Sequence, residues 1–257
     1  MSTLPAPAML SVIIPAHDEE RLIGATLEAL RDATAGLPGG VEVIVVDDAS
    51  TDRTAEIARS HGARVLHVSH RHIAATRNAG AAAARGDRLL FLDADTRVDR
   101  KVVESAMAAM DRGAVGGGTA VRFAGPLPLH MRMLERASIL AFRVAGITPG
   151  CFVFCTRPAY EAVGGFDERL FAAEDVAFGR ALARHGRVAI LREPVLTSAR
   201  KMRTYSLGEK ARFLARFAWD APRMLRSREA MVFWYGGRRH DALDEPGPDR
   251  ERSGGNR

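Results

Sequence analysis

The sequence predicts an α/β domain with a mixed, mainly parallel β-sheet and helices on both of its faces. Strand-like and helix-like segments alternate four times in residues 10–112, the order that a helix-covered parallel sheet requires. The strand-like segments are unbroken runs rich in Val, Ile and Leu, as expected for strands buried on both faces. Of the 257 residues, 47% are hydrophobic and 26% are charged, a composition that can form a core and excludes disorder for most of the chain.

Four strands and four helices are predicted in the first half of the chain. The strands are short apolar runs at residues 10–15, 41–46, 63–68 and 88–92. The helices cover residues 19–33, about 51–61, 73–85 and about 99–112. Ser50 or Thr51 is predicted to cap the second helix and Asp99 the fourth, because such side chains accept hydrogen bonds from the first N–H groups of a helix.

The second half of the chain has a less regular pattern. It predicts strands at residues 115–123, 151–156 and 188–191, and helices at about 129–144, 174–185 and 206–228. We divide the chain into a tail (1–9), two halves of one domain (10–112 and 113–203), a basic amphipathic helical extension (204–240) and a polar tail (241–257). The last tail is rich in Pro and Gly, and we expect it to be disordered.

The positive charge of the chain is confined to one late segment. The formal net charge is +6, yet residues 1–197 contain equal numbers of basic and acidic residues, whereas residues 198–240 contain eleven basic and three acidic ones. A nucleic-acid-binding protein would be expected to show a wider basic surface. The pattern therefore argues against nucleic acid as a partner and indicates either one local anionic partner or a solvated helix.

The cysteines and the apolar segments indicate where the protein acts. Cys151 and Cys155 lie in a strand-like run without other metal ligands nearby, so they are predicted to be buried thiols. The start of the sequence lacks the basic and apolar regions of a signal peptide. The apolar run 137–155 is interrupted by Arg143 and Pro149, which makes it a poor membrane span. We expect a cytoplasmic protein, either free or peripheral at the inner face of the membrane.

Acidic residues follow three of the predicted strands. They are found in PAHDEE after the first strand, in Asp47-Asp48 after the second and in Asp93-Ala94-Asp95 after the fourth. Ligands of such sheets bind beyond the carboxyl ends of the strands, and clustered carboxylates are costly unless a cation compensates them. Helix capping explains single acids but not three clusters at one edge. Because Asp93 and Asp95 share a face, they are predicted to hold Mn²⁺ or Mg²⁺.

Four motifs in this order carry a resemblance to a known family. VIIPAHDEE, VIVVDDASTD, ATRNAGAAAARGDRLLFLDADT and GGFDERLFAAED resemble the family-two inverting glycosyltransferases, which have the nucleotide-sugar-binding GT-A fold. The resemblance covers residues 10–203. It implies metal-dependent transfer of a sugar, with inversion, from a nucleoside diphosphate sugar to a hydroxyl acceptor. A UDP-sugar is the favoured donor.

The same resemblance assigns roles to residues of the first half, which becomes the nucleotide-sugar-binding half. Arg77 is expected near the pyrophosphate, although Arg77-Asn78 could instead be a solvent-facing helical pair. Asp93 and Asp95 are expected to hold the metal, with Ala94 at the donor. The residues expected around the nucleoside are Pro15, Ala16, His17, Asp18, Glu19, Asp47 and Asp48. His17-Asp18 departs from the Tyr-Asn that is commoner in the family.

In the second half, the resemblance points to a carboxylate pair as the catalytic centre. Asp175 matches the family's catalytic base, and Glu174 is expected to support it as an acceptor or donor-sugar contact. The alternative is that both are first-turn acids that favour the helix dipole. Asp167 is expected to structure the turn before them.

The basic extension contains two further expectations. Arg200 or Arg203 could close the diphosphate site, as a basic residue often does in the family, or both could be surface cations. Residues 204–235 form a basic amphipathic segment with aromatic residues that could lie on an anionic membrane, where a lipid-linked acceptor would be found. Docking on the domain with the cations in water is favoured, because an apolar stripe of this size is ordinary.

Other functions remain as alternatives. A sugar-phosphate nucleotidyltransferase is expected to have a Gly-rich, basic loop after the first strand, where this chain has PAHDEE. A dinucleotide oxidoreductase would have G-x-G-x-x-G at the same place. A noncatalytic nucleotide-sugar-binding protein stays open.

Overall fold

A computed structural model describes residues 9–123, 150–198 and 223–231, together with the single positions 132, 133, 139, 212, 216 and 220. Eight strands and six helices have both of their ends within these residues. The strands are β1 (Leu10–Ala16), β2 (Val41–Asp48), β3 (Arg64–Val68), β4 (Arg88–Leu92), β5 (Thr96–Arg97), β6 (Gly116–Phe123), β7 (Phe152–Thr156) and β8 (Val188–Thr197). The helices are α1 (Ile23–Thr34), α2 (Thr54–Ser60), α3 (Ile73–Ala83), α4 (Arg100–Asp111), α5 (Arg157–Val163) and α6 (Glu174–Leu182).

All eight strands belong to one mixed sheet in the order β3-β2-β1-β4-β7-β6-β8-β5. The first four strands are parallel, with β1 between β2 and β4. β7 is antiparallel to both β4 and β6, while β6 and β8 are parallel. The prediction of a mixed, mainly parallel sheet is therefore confirmed.

Helices cover both faces of this sheet, as predicted. On one face, the side chains of α1 and α4 pack with alternate residues of β1, including Val12 and Ile14. On the other face, α3, α5 and α6 pack against Ile13 and Phe91. The alternation of Val12, Ile13 and Ile14 between the two cores explains why β1 is apolar at every position.

Three features of the fold were not predicted from the sequence. β5 and α5 were missed, and β8 continues to Thr197 rather than ending at 191. β5 is a two-residue strand that pairs with the end of β8, so no local periodicity marks it. α5 has Pro158 in its first turn, which is compatible with a helix start but is also a turn signal.

The predicted start of α2 was wrong. The helix begins at Thr54, and neither Ser50 nor Thr51 caps it, because both residues bind the loop after β1 instead. The cap of α4 by Asp99 is confirmed, since its side chain accepts a hydrogen bond from Val102 N.

Two predicted helices and both tails fall largely outside the residues described. These are the helices at 129–144 and 206–228 and the tails at 1–9 and 241–257. Cys151 and Cys155 are buried free thiols, as predicted.

Candidate active site

The loops after β1 and β2 are joined by reciprocal hydrogen bonds at the carboxyl edge of the sheet. Asp18 N donates to Ser50 Oγ (2.9 Å), and Asp18 Oδ1 accepts from Thr51 N (2.6 Å). Glu20 N likewise donates to Asp52 Oδ2 (3.1 Å). Several acids of this edge therefore serve as acceptors for loop N–H groups, which stabilises the rim of the site.

The residues predicted to surround the nucleoside lie together at this rim. Pro15 and Ala16 are buried at the end of β1, while His17 and Glu19 are partly exposed in the loop that follows. Glu19 N donates to Thr54 Oγ1 at 2.7 Å. Their contacts with a nucleoside stay a prediction.

Asp48 connects the end of β2 with the start of α3. Its buried carboxylate accepts from the backbone N–H of Arg71 (2.8 Å) and of His72 (3.1 Å), and from Thr76 Oγ1 (2.8 Å). A carboxylate has about four acceptor positions, so one position is left for a base or ribose donor. The predicted nucleoside role of Asp48 is compatible with this geometry.

Asp47, next to Asp48, has a different environment. Its Oδ2 accepts from His67 Nδ1 (2.9 Å). Its Oδ1 is buried and has no hydrogen-bond partner among the residues that the structure describes. An orphaned buried acceptor of this kind is costly and is consistent with a donor group that arrives with a ligand.

Arg71 joins the rim, although no motif or local pattern predicted it. Its Nη1 lies 2.6 Å from Nε2 and 3.1 Å from Nδ1 of His17. Arg71 is a non-glycine residue in the left-handed region, with φ = 51°, and Asp48 holds its backbone there. A positive φ without glycine cannot be inferred from local sequence.

Arg77 lies in the interior of the protein rather than at the surface. Its side chain is 3% exposed. Nη1 donates to Glu174 Oε1 (2.7 Å), while Nη2 donates to Asp93 Oδ1 and to Gly150 O (both 2.9 Å). These carboxylates raise the pKa of Arg77 against the opposing effect of burial. The alternative of a solvent-facing pair is therefore wrong for Arg77.

Asn78, the second member of that pair, fastens α3 to the loop 164–168. Its Oδ1 accepts from Phe166 N (2.9 Å) and Tyr160 Oη (2.8 Å), and its Nδ2 donates to Phe166 O and Glu168 Oε1 (both 2.9 Å). In the same loop Asp167 accepts three hydrogen bonds from Arg169. These bonds lower the pKa of Asp167 to about 2, in agreement with its expected role in the turn.

Asp175 is a partly exposed carboxyl group in the first turn of α6. Its Oδ1 accepts from Val176 N at 2.8 Å. Burial raises the pKa of Asp175 to about 6, with a further contribution from Glu174 and a smaller one from Asp93, while Arg77 acts in the opposite direction. A Cβ added at Gly150 would lie 2.7 Å from Asp175 Oδ2, so the chain passes close to this carboxylate.

Asp93 and Asp95 are suited to a divalent cation. Asp93 N donates to Cys151 O (3.1 Å), and Asp95 Oδ1 accepts from Thr197 Oγ1 (3.3 Å), so neighbouring strands hold the turn around Ala94. Within the described part of the chain, no group of three or more His, Cys, Asp or Glu residues could hold a metal ion. Two carboxylates are nevertheless sufficient for Mg²⁺, which takes its other ligands from water and phosphates.

Electrostatics also favour a cation here. Four carboxyl groups surround the site, namely Asp93, Asp95, Glu174 and Asp175, and Arg77 is the positive group that contacts two of them. The net negative charge of these five groups favours a metal ion that prefers carboxylate and water oxygens as ligands.

Part of the basic extension contacts the loop that precedes α6. Phe171 N donates to Leu225 O at 2.7 Å, and Met231 is fully buried. Arg223, Arg226 and Arg228 are exposed. Docking of the whole extension on the domain stays a prediction. Arg200 and Arg203 lie outside the described residues.

Comparison with known proteins identifies the family. The model of Glycosyl transferase family 2 matches residues 11–162, more than half of the chain. The chain belongs to glycosyl transferase family 2. Validoxylamine A glucosyltransferase from Streptomyces hygroscopicus subsp. limoneus is 36% identical over 107 residues, which are 39% of this chain and 23% of that protein. The chain thus spans about a quarter of the length of that protein.

Solved structures share the fold of this family-2 chain. A mannosyltransferase from Pyrobaculum calidifontis in complex with GDP-Man and Mn²⁺ has a TM-score of 0.64 at 21% identity, over 84% of this chain and 63% of that one. TarS 1–349 from S. aureus in complex with UDP-GlcNAc has a TM-score of 0.59 at 22% identity, over 74% and 58%. The GT-A prediction is thereby confirmed. In the residues described, no helix is long and apolar enough to cross a membrane.

Proposed function

We propose that this family-2 chain is a metal-dependent inverting glycosyltransferase. It moves a sugar from a nucleoside diphosphate sugar to a hydroxyl acceptor. The observation that carries the proposal is the contact of Arg77 with both Asp93 and Glu174. Through it, the carboxylates suited to a metal and the carboxyl pair of α6 belong to one cluster at the ligand-binding edge of the sheet.

Asp175 is the proposed base. Its raised pKa, about 6, leaves it ionised at neutral pH and more basic than an ordinary carboxylate, which suits a general base. The acceptor oxygen forms a bond to the anomeric carbon while the bond from that carbon to the diphosphate oxygen breaks, and Asp175 takes the hydroxyl proton. Attack from the face opposite the leaving group inverts the configuration.

The leaving diphosphate needs positive charge, which a metal held by Asp93 and Asp95 supplies when bound. Mn²⁺ is the first choice because the mannosyltransferase with the same fold is a complex with Mn²⁺. We propose Arg200 or Arg203 as an additional cation at the diphosphate. Glu174 is bound to Arg77, so we propose that it supports Asp175.

The donor is proposed to bind at the rim formed by the loops after β1 and β2. Asp47 and Asp48 supply acceptors there, and the orphaned Oδ1 of Asp47 supports a ligand with a donor group. UDP-sugars are the first candidates, since TarS is a complex with UDP-GlcNAc, and GDP-sugars are the second, from the complex with GDP-Man. The acceptor is a hydroxyl group, and a lipid-linked acceptor would fit the basic segment 204–235.

A panel of donors tests this function. The protein is incubated with Mn²⁺ and UDP-, GDP- and dTDP-sugars, and thermal stabilisation and slow donor hydrolysis are measured. We expect one nucleotide class to raise the unfolding temperature and to be hydrolysed. Absence of any response contradicts the proposal. Stabilisation without hydrolysis or transfer supports a noncatalytic binding protein instead, and pyrophosphate release from a nucleoside triphosphate and a sugar phosphate supports a nucleotidyltransferase.

Asp175→Asn tests the base. We expect sugar transfer to fall by about 10²–10⁴-fold, the usual contribution of general-base catalysis, with donor affinity unchanged. The matched control is Asp32→Asn, which neutralises a carboxylate exposed on α1 and should retain full activity. Retained transfer in Asp175→Asn assigns the base to another residue.

A further inference from the structure

One buried guanidinium connects three segments that meet at the candidate active site. Arg77 is on α3, and its partners are Asp93 after β4, Glu174 at the start of α6 and the carbonyl of Gly150 before β7. These partners lie 16 to 97 positions away from Arg77 in the sequence. Their relative placement therefore depends on tertiary contacts rather than on local structure.

The surroundings of Arg77 argue against direct contact with a diphosphate. The guanidinium lies 5.3 Å from the centroid of the Phe166 ring. Both Nη atoms already donate to protein oxygens, and the remaining Nε–H is buried without a partner among the described residues. A phosphate oxygen could bind the Nη atoms only by displacing Glu174, Asp93 or the Gly150 carbonyl.

We propose that Arg77 is a positioning residue for the transfer reaction. It holds Asp93, which is suited to the metal, and the Glu174-Asp175 pair at a constant separation, and it compensates their charge. A guanidinium suits this task because it has five donors in a planar fork and stays charged. The proposal rests on the proposed function and specifies how that same site is organised.

Gly150 extends this connection to the proposed base. Its carbonyl accepts from Arg77, and its Cα lies so close to Asp175 that an added Cβ would be 2.7 Å from Oδ2. Arg77 therefore constrains the chain segment that lies against Asp175, as well as the neighbouring Glu174.

Loss of Arg77 has a defined consequence. The partly exposed Asp93 and the buried Glu174 would remain as like charges without their common partner, and they would repel each other. Removal of a group that orients metal ligands typically lowers metal affinity or activity 10–100-fold. A residue that contacts the donor instead would change donor affinity and leave the affinity for the metal alone unchanged.

The test uses Arg77→Met and Arg77→Lys in the full chain. Mn²⁺ affinity is measured without nucleotide by electron paramagnetic resonance, and kcat and donor KM are measured with the donor that the panel identifies. For Arg77→Met we expect Mn²⁺ affinity and kcat each to fall roughly 10–100-fold, with donor KM nearly unchanged. Lys keeps the positive charge but lacks the planar guanidinium that binds the three oxygens. Arg77→Lys should therefore have Mn²⁺ affinity and kcat between those of Arg77→Met and the wild type.

Arg157→Met is the matched control. Arg157 also fastens distant segments, since it donates to the carbonyls of Gly86 and Ala84 (both 2.8 Å), but these hydrogen bonds involve no carboxylate. We expect lower stability with wild-type Mn²⁺ affinity and kcat. If Arg77→Met does not fold, Arg77→Met/Glu174→Gln, which removes one of the uncompensated charges, takes its place. Its Mn²⁺ affinity should be roughly 10–100-fold below that of the wild type, and wild-type affinity would overturn the positioning role.

The outcomes separate this proposal from the proposed function. Unchanged Mn²⁺ affinity and kcat in Arg77→Met, or a rise in donor KM alone, overturns the positioning role while the transferase stands. A wild-type protein that binds Mn²⁺ but responds to no nucleotide sugar contradicts the transferase. In that case a 10–100-fold loss of Mn²⁺ affinity in Arg77→Met still supports the positioning role, and an unchanged affinity overturns it.

Discussion

Ala173, the residue before the Glu174-Asp175 pair, has a backbone conformation that alanine rarely adopts. Its φ is 59°, and the other non-glycine residues with positive φ in the described part of the chain are Asp18, Ala49 and Arg71. All four lie in loops at the candidate active site. Residues with strained backbone tend to cluster at functional sites, and these four indicate that the loops are held by tertiary contacts.

Replacement of Ala173 by Gly should stabilise the protein. A left-handed conformation costs a non-glycine residue about 1–2 kcal/mol, so we expect Ala173→Gly to raise the free energy of unfolding by about 1 kcal/mol in urea titrations. Ala183→Gly is the control, because Ala183 follows α6 with ordinary helical angles. This substitution should lower the free energy of unfolding by about 1 kcal/mol. Equal effects of the two substitutions would contradict the strain at Ala173.

Asp175 should make both activity and stability depend on pH. The base must be ionised, so kcat/KM should fall as the pH decreases through about 6. The folded-state pKa is above the ordinary value of 3.8, so the folded state binds the proton more tightly than the unfolded state. The contribution of Asp175 to stability is therefore present at low pH and is lost as pH rises from about 4 to 6.

The stability effect can be measured with Asp175→Asn in EDTA. At pH 7 the variant should be more stable than the wild type by about 3 kcal/mol, because the pKa of Asp175 is raised from 3.8 to about 6. At pH 4 the difference should be small. A difference independent of pH would show that the carboxyl group titrates normally.

At the scale of elements, α3 is the helix that organises the site. Its small residues bring it close to the sheet, and a Cβ added at Gly80 would overlap Ile13 Cγ2 and lie 2.8 Å from Val46 Cγ2. This close approach places Thr76, Arg77 and Asn78 next to β2, β4 and the loop 164–168.

Gly80→Ala should therefore be destabilising, by about 1–3 kcal/mol, the usual cost of overpacking. Gly24→Ala is the matched helical control. There the nearest atoms to an added Cβ are at 3.5 Å, and Ala is favoured over Gly in a helix by up to about 1 kcal/mol. Thermal unfolding of both variants tests the prediction, and a neutral Gly80→Ala would mean that α3 can move away from β1 and β2.

On the scale of the whole molecule, α3 also joins the two halves of the domain. Asn78 makes its four hydrogen bonds to residues of the second half, and β7 of that half lies next to β4 of the first. We infer that the halves unfold together.

Asn78→Ala tests this coupling. The substitution leaves Phe166 N without its partner, which should lower the free energy of unfolding by about 1–3 kcal/mol. Unfolding should remain one transition when it is followed by both near- and far-ultraviolet circular dichroism. Thr34→Ala removes a hydrogen bond within α1 and should lower the free energy of unfolding by less than Asn78→Ala does. Two separate transitions, with only one of them shifted in Asn78→Ala, would contradict cooperative unfolding of the halves.

The sequence by itself determined the parallel half of the sheet, because buried strands and amphipathic helices leave local periodic patterns. The acids at the strand ends and the four motifs likewise predicted the family and the ligand-binding edge. Tertiary structure alone decided the insertion of β7 between β4 and β6, the pairing of β5 with β8 and the exposure of Arg77. These depend on contacts between residues far apart in sequence. An arginine has the same local sequence pattern whether it faces solvent or, as Arg77 does, binds two carboxylates in the interior.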